Sequence, residues 1–494
     1  MTGPLLHELA GRAAARFGHA PAVSHGGTTL HHGQVHELSV RLSGGLARRG
    51  VRRGDRVVVT SSATAELPAL LYAVSRLGAM FAVVHEQVRK AALRHVLTDC
   101  TPRLLVTDDP SAAGTAAGCS VPVARIADLA ASGGAPEPAR PLAVDPVCLL
   151  YTSGTTALPK AVVSTHAQVA FAAEAIQSCL RYRADDVVYC PLPPSFDYGL
   201  YQLFLGALGG SHVWLGRPAE SGPGLLANLL RANATVLPAV PPVAEGLLRL
   251  LRRNPLRVPP LRLLTNTGAT MPAPVLAGLR DLIPGLRVQL MFGLTECKRV
   301  SIMEPDGDLA RPGALGRPLP GTEVLVVDGD GRPLRPGEVG ELVIRGPHVM
   351  AGYWRRPELT ERRFRRVDGL FPQLHSGDYG WLDQDGYLYF AGRRDDIYKQ
   401  SGFRVSTIEV EQACRRLPGV DAAAVLPPGP GRPAAVLFVC GAVEPARVLH
   451  ELRGQLEDFK VPGRCLTVAG LPVTANGKVD RAALTALLEE HTGV

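Results

Sequence analysis

Lysine is scarce in this 494-residue chain: of 53 basic residues only six are lysine (Lys90, Lys160, Lys298, Lys399, Lys460 and Lys478), and the rest are arginine. The arginines are scattered among glutamates and aspartates, and no basic run carries interleaved aromatics, so the net charge of +8 reads as a solvated surface and not as a nucleic-acid footprint. A chain so biased to arginine keeps lysine where a compact, mobile point charge is needed. Paired cysteines are also missing. The nine cysteines are odd in number, form no C-x-x-C pair and fall mostly in apolar runs, which excludes a disulfide framework and implies reduced core thiols of a cytoplasmic protein. No secretion signal is visible, because Glu8 breaks the N-terminal apolar stretch; Leu5, Leu6, Leu9 and Ala13 have the spacing of an amphipathic helix. The one charge-free run of membrane length, Tyr198–Gly216, is interrupted by Gln202, Gly209, Gly210, Ser211 and His212. It reads as a helix followed by a buried strand, so no membrane partner is expected.

What is present points to a large enzyme-sized core. At 52.4 kDa the chain exceeds what one hydrophobic core supports, and 46% hydrophobic with 20% charged residues is ordinary for a globular protein. Strand-like Arg56–Thr60, Met80–Val84 and Arg103–Thr107 alternate with helical Ala65–Leu77 and Val88–Thr98, which predicts β-α-β units and a mostly parallel sheet. Residues 108–142, rich in Ala, Gly, Ser and Pro, read as a surface connection before the strand Val147–Tyr151. A second α/β stretch runs to about Pro305. From Gly316 to Phe390 short strands and Gly-Asp-Gly or Pro-Gly turns suggest a small antiparallel or barrel-like unit, and the last hundred or so residues read as a small α+β domain.

Chemistry concentrates in five segments. Leu150-Tyr-Thr-Ser-Gly-Thr-Thr-Ala-Leu-Pro-Lys160 follows an apolar strand and gathers Thr152, Ser153, Gly154, Thr155, Thr156 and Lys160, a set of donors able to surround an oligophosphate. It is not a Walker A loop, since Lys160 precedes Ala161 and the magnesium-binding Ser/Thr is absent. Met291-Phe-Gly-Leu-Thr-Glu-Cys297 follows the strand Arg287–Leu290 and offers a ring, a tight turn, a hydroxyl and a carboxylate in succession. Ser376-Gly-Asp378, then Gly392–Arg404 and Pro472–Lys478, complete the series.

The order and spacing of these segments resemble the adenylate-forming superfamily of acyl-CoA synthetases, nonribosomal adenylation domains and luciferases, over essentially the whole chain. The resemblance implies an α/β fold with a large N-terminal domain (1–391) of two α/β subdomains plus a small β-barrel, a hinge (392–396) turning at Asp395, and a small mobile α+β domain (397–494). It implies ATP, Mg2+ and coenzyme A as cofactors. By matching positions, Thr152, Ser153, Gly154, Thr155, Thr156 and Lys160 handle the ATP phosphates; Thr295 and Glu296 contact the α-phosphate and Mg2+. Phe292 stacks on adenine beside Gly293, with Gly268 and Ala269 opposite, and Asp378 binds the ribose with Arg393 nearby. Lys478 bridges substrate carboxylate and α-phosphate during adenylation, and Lys399 takes its place, near Gly402 in the thiol channel, when the thioester forms. Two departures stand out. Ala157 and Ala161 occupy positions commonly glycine in the family, at a cost of about a kcal/mol wherever a positive φ is required, and Val84-His85-Glu86-Gln87 replaces a proline-containing turn.

The acyl pocket implied by the resemblance is lined by Phe196, Asp197, Tyr198, Tyr201 and Thr267. Asp197 reads two ways. It precedes an apolar helix, where an N-cap carboxylate is the favoured reading, while in amino-acid-activating relatives an aspartate after phenylalanine holds the substrate ammonium. The leading expectation is an AMP-forming acyl-CoA ligase acting on a small carboxylic acid. The alternative is a stand-alone adenylation enzyme loading an amino or aryl acid onto an acyl or peptidyl carrier protein; a third, of another class, is a nucleotide-binding protein without chemistry.

Overall fold

Arg56–Thr60 has three valines in succession at its centre, the composition of a strand buried on both faces, and it lies inside a seven-stranded sheet. The computed structural model describes every residue except 1–4, 61–63, 135–138, 153–158, 218–219, 221, 370, 394–396, 401–402, 430–431, 433, 457, 474–478 and 493–494. Two compact units make up the chain. The first comprises Met1–Leu325, Val343–Ser376 and Gly386–Leu388; the second comprises Val326–Leu342, Gly377–Asp385 and Tyr389–Val494.

Two sheets build the first unit. In the seven-stranded sheet the order is Gly352–Tyr353, Lys160–Thr165, Pro146–Thr152, Met80–Val83, Arg56–Thr60, Leu104–Thr107 and Val123–Ala124. The last five of these run parallel, and the first three meet antiparallel. In the nine-stranded sheet Arg287–Phe292, Leu263–Asn266, Val236–Ala239, Val187–Cys190, His212–Leu215 and Pro21–His25 are parallel neighbours. The helix Leu67–Arg76 is buried from Leu67 to Ser75, as its all-round apolar composition requires, and shares one core with Val57 and Phe81 of the first sheet and Val188 and Val213 of the second. The helix Asp197–Gly209 and strand His212–Leu215 occupy the long charge-free run as expected. Among the described residues no helix is long and apolar enough to cross a membrane.

The connection expected over 108–142 is more structured than its composition suggests, holding helices Pro110–Ala117 and Ile126–Ala131 and the edge strand Val123–Ala124. Asp109 caps the first of them, accepting from the backbone N–H groups of Ser111 and Ala112, with Pro110 at the first helical position.

In the second unit, Val420–Leu426 pairs antiparallel with Val436–Gly441, which pairs in parallel with Arg464–Thr467. Residues alternate between faces. Ala423, Val425, Leu437 and Val439 pack on the helices Thr407–Arg415 and Pro445–Arg453, while Ala424, Leu426, Val436 and Phe438 pack on Arg481–Thr492. This is the α+β unit read from the sequence.

Two histidines in the first unit are fully buried and neutral. His166 accepts from the backbone N–H of Leu6 through Nδ1, which leaves its proton on an unpartnered Nε2; neither ring nitrogen of His348 has a partner. Burial pulls both down to about 4. The unfolded chain therefore takes up protons first as the pH falls. Stability is full above the ordinary histidine value of about 6.5 and is lost from there towards pH 4, by about 1.4 kcal/mol per pH unit for each group. The thermal midpoint should accordingly drop between pH 6.5 and 5, and His348→Leu, placed against Phe171, should flatten that slope; an unchanged slope would contradict the assignment.

Candidate active site

Open parallel sheets bind ligands beyond the carboxyl ends of their strands, and three sequence-predicted segments emerge at that end of the nine-stranded sheet, with Val236–Ala239 between the first and second of their strands. Val187–Cys190 leads through 191–195 to Phe196 and Asp197; Leu263–Asn266 leads to Thr267, Gly268 and Ala269; Arg287–Phe292 leads to Gly293, Thr295 and Glu296. Asn266 donates through Nδ2 to the carbonyl of Ala239 at 3.1 Å, tying its strand end to that of the neighbouring Val236–Ala239. Gly268 has φ +88°, and a Cβ there would lie 3.7 Å from the Phe196 ring. Thr267 is buried with its hydroxyl unpartnered, as is the hydroxyl of Tyr201; Tyr198 hydrogen-bonds Thr265 at 2.7 Å.

After Phe292 the chain turns back on itself. A Cβ at Gly293 would lie 2.1 Å from the Lys298 carbonyl oxygen, so only glycine allows the closure, and Lys298 takes the left-handed φ of +65° that completes it. The N–H of Val300 donates to the Phe292 carbonyl at 2.8 Å. This loop buries three charged side chains at once. Glu296 is 8% exposed, Lys298 1% and Arg299 4%. Lys298 donates to the Thr295 carbonyl at 3.0 Å, and burial lowers its ammonium pKa, with the charge of Asp197 opposing. Arg299 lies over the Tyr198 ring at 4.9 Å and donates from Nη1 to Asp197 at 3.1 Å, leaving Nε unpartnered.

Asp197 therefore does not cap the helix it begins. Phe196 stands at the cap position, no side chain caps that end, and the Asp197 carboxylate, 5% exposed, turns inward to Arg299. The favoured sequence expectation is corrected: a buried arginine draws the carboxylate more strongly than exposed helix amides do.

The predicted phosphate loop joins two paired strands. Thr152 and Lys160 face each other across the ladder of Pro146–Thr152 and Lys160–Thr165, so the loop springs from a rigid base; Ser153, Gly154, Thr155, Thr156 and Ala157 lie outside the described residues. Ala161 sits in the second strand without a positive φ, so alanine there carries no backbone penalty. The Lys160 ammonium lies 4.0 Å from the centre of the Tyr353 ring, and the Tyr353 hydroxyl donates to Glu296 Oε1 at 2.6 Å.

In the second unit Asp378, 2% exposed, pairs with Arg393 Nε at 3.1 Å. Lys399 stands opposite Arg404 in the hairpin Ile397–Gln400 with Phe403–Ser406, and only its backbone is described there. Asp395, Gly402 and Lys478 lie outside the described residues. Sequence reasoning missed Lys298, Arg299 and Tyr353. Lys298 carried a signal, being one of six lysines and adjacent to a recognised motif.

The AMP-binding enzyme family matches residues 11–354. Feruloyl-CoA synthase of an Amycolatopsis species is 31% identical over 480 residues, covering 95% of this chain and 96% of that protein. The fatty acid–[acyl-carrier-protein] ligase ScoC of Streptomyces coeruleorubidus is 29% identical over 497 residues, covering 94% and 92%. The structure of VinN in complex with L-aspartate is 37% identical with a TM-score of 0.73, covering 79% of this chain and 99% of that one.

Removing Arg299 leaves Asp197 buried without its hydrogen-bonded cation, which should cost about 3 kcal/mol in denaturant unfolding of Arg299→Ala. Replacing both partners, Asp197→Leu with Arg299→Met, should recover most of that loss; a double variant no more stable than Arg299→Ala would contradict the pairing.

Proposed function

The chain belongs to the AMP-binding enzyme family, and from that premise we propose that it activates an amino dicarboxylic acid of the aspartate class with ATP and passes the acyl group to a phosphopantetheine thiol. The enzyme class is an AMP-forming acid–thiol ligase of the adenylate-forming fold. One carboxylate oxygen of the substrate attacks the α-phosphorus of ATP, the bond to the bridging oxygen breaks, and pyrophosphate leaves with its electron pair. The thiol then attacks the acyl carbon of the mixed anhydride, forming a thioester and releasing AMP.

The observation that supports the substrate reading is how the buried charges are paired: Arg299 holds Asp197, Glu296 on the same loop is held by the Tyr353 hydroxyl, and Lys298 hydrogen-bonds a backbone carbonyl and, among the described residues, no carboxylate. A plain apolar acid would bring no partner to the Lys298 ammonium or to the unpartnered Nε of Arg299, in a medium where an unmatched donor is costly. A substrate bearing an ammonium and a second carboxylate matches both signs, the ammonium towards Asp197 and the carboxylate towards Lys298 and the free Nε of Arg299. The L-aspartate in VinN supports this chemistry.

The remaining roles follow the family pattern. Phe292 stacks on adenine against Gly268 and Ala269, Thr295 donates to the α-phosphate, and Thr152, the loop Ser153–Thr156 and Lys160 take the β- and γ-phosphates. Asp378, oriented by Arg393, accepts from the ribose hydroxyls. Lys478 stabilises the charge that builds on the α-phosphate oxygens, and Lys399 serves the thioester step after a turn at Asp395. Among the described residues no group of three or more ligating side chains exists. That suits Mg2+, which takes one or two carboxylates and otherwise water and phosphate; Glu296 would hold it, and the ion would neutralise charge on the phosphates.

An amine-binding pocket favours a carrier-protein thiol as acceptor, for which ScoC is the acyl-carrier-protein precedent. The second reading is coenzyme A, supported by the match to feruloyl-CoA synthase along the full chain. The free state of all nine cysteines fits the reducing cytoplasm in which we place the reaction.

ATP–pyrophosphate exchange over amino diacids, neutral amino acids, cinnamic acids and fatty acids tests the reading. Aspartate-class acids should lead, and analogues lacking either the amine or the second carboxylate should lose about 10- to 100-fold in kcat/KM. Exchange with cinnamic or fatty acids alone would overturn it. Product masses after offering coenzyme A and holo carrier protein together identify the acceptor.

A further inference from the structure

Tyr353 has no task in the reaction as derived, yet it touches two groups that do. It lies in the short strand Gly352–Tyr353 at the edge of the seven-stranded sheet, pairing with Val162, while the N–H of Trp354 donates to the carbonyl of Ala161. That register sets its ring beside Lys160, two residues from Val162 on the same face, with the ammonium 4.0 Å from the ring centre. The hydroxyl donates to Glu296 Oε1 at 2.6 Å; among the described residues no hydrogen bond reaches Glu296 Oε2. The placement is fixed from several sides. The N–H of Tyr353 donates to Thr360 Oγ1 at 3.0 Å, the Phe364 ring meets it edge-on at 5.4 Å, and the N–H of Met350 donates to the Glu296 carbonyl at 2.9 Å. At Gly352, φ is +131° and a Cβ would lie 2.4 Å from Thr360, so the strand cannot shift to accommodate a side chain there.

We propose that Tyr353 is a positioning residue that holds the phosphate-loop lysine and the metal-binding carboxylate in one arrangement, its ring face seating the Lys160 ammonium and its hydroxyl fixing the Glu296 carboxylate with Oε2 presented to the cation. The inference rests on the proposed roles of Lys160 and Glu296. A purely packing role would be met by phenylalanine, which fills the same space; a buried tyrosine hydroxyl on a carboxylate makes a charge-assisted bond that phenylalanine lacks. The aromatic face attracts a cation without neutralising it, so the ring orients the ammonium and leaves its charge in place.

Two variants separate the two contacts. Tyr353→Phe keeps the ring and loses the donor, and it should raise the Mg2+ concentration for half-maximal ATP–pyrophosphate exchange by about 5- to 10-fold while KM for ATP moves less. Tyr353→Leu loses both contacts and should raise KM for ATP as well, by about 10-fold. Thioester formation from supplied acyl-adenylate needs neither the triphosphate nor its metal, and both variants should retain it within about twofold. Adding Tyr353→Phe to Glu296→Gln should produce no further change in Mg2+ dependence, a result readable even if the leucine variant does not fold. The inference is overturned if Tyr353→Phe has wild-type Mg2+ dependence, or if the variants lose both half-reactions in parallel, as a structural residue would. A wild-type enzyme that shows no exchange with any acid would instead sink the adenylation reading beneath it, a distinct result from a silent Tyr353→Phe.

Discussion

Lys298, Arg299 and Asp197 are buried together in the proposed acyl pocket, with Glu296 on the same loop, and their charges must be matched in a place that water does not reach. Arg299 and Asp197 satisfy part of that demand by pairing at 3.1 Å, and Lys298 leans on a backbone carbonyl. The rest is left for a ligand. Desolvation makes each buried charge expensive and each correct partner valuable, which is the physical basis of the proposed preference for an acid with charges of its own.

The scaffold makes that burial possible. Parallel strands of the nine-stranded sheet end together and deliver Phe196, Thr267 and Phe292 to one edge, and the turn after Phe292 closes because Gly293 has no side chain and Lys298 accepts a left-handed φ. That single turn carries Thr295 and Glu296, proposed for the nucleotide, and Lys298 and Arg299, proposed for the acid. On those proposed roles one short turn couples nucleotide and acid recognition, and Tyr353, which contacts both Glu296 and Lys160, extends the coupling through the edge strand of the other sheet.

Much of this was legible in the sequence. Runs such as Arg56–Thr60 and Met80–Val83, apolar without alternation, announced buried parallel strands, and the five ordered segments announced the family to which the chain belongs. The helices Pro110–Ala117 and Ile126–Ala131 escaped because small alanine-rich segments have little periodicity, although the Asp109-Pro110 start signal was there. Asp197 was misjudged for a different reason: its local context is that of a cap, and the partner that overrides it is Arg299, about a hundred residues on. Tyr353 could not be found from spacing at all, since sheet pairing brings it to Lys160 and Glu296. Lys298 could have been found. Lysine scarcity singled out Lys160, Lys399 and Lys478, and the same argument applied to a fourth lysine beside the Thr295-Glu296 motif would have pointed at the pocket.

The most direct test of the charge-matching account is a crystal structure of the enzyme with L-aspartate and a non-hydrolysable ATP analogue. The account predicts the ligand ammonium within hydrogen-bond distance of Asp197 and the carboxylate remote from the α-phosphate on Lys298 and Arg299, with the Asp197–Arg299 pair retained or opened to admit it. A ligand seated with its ammonium and second carboxylate away from these three side chains would contradict it.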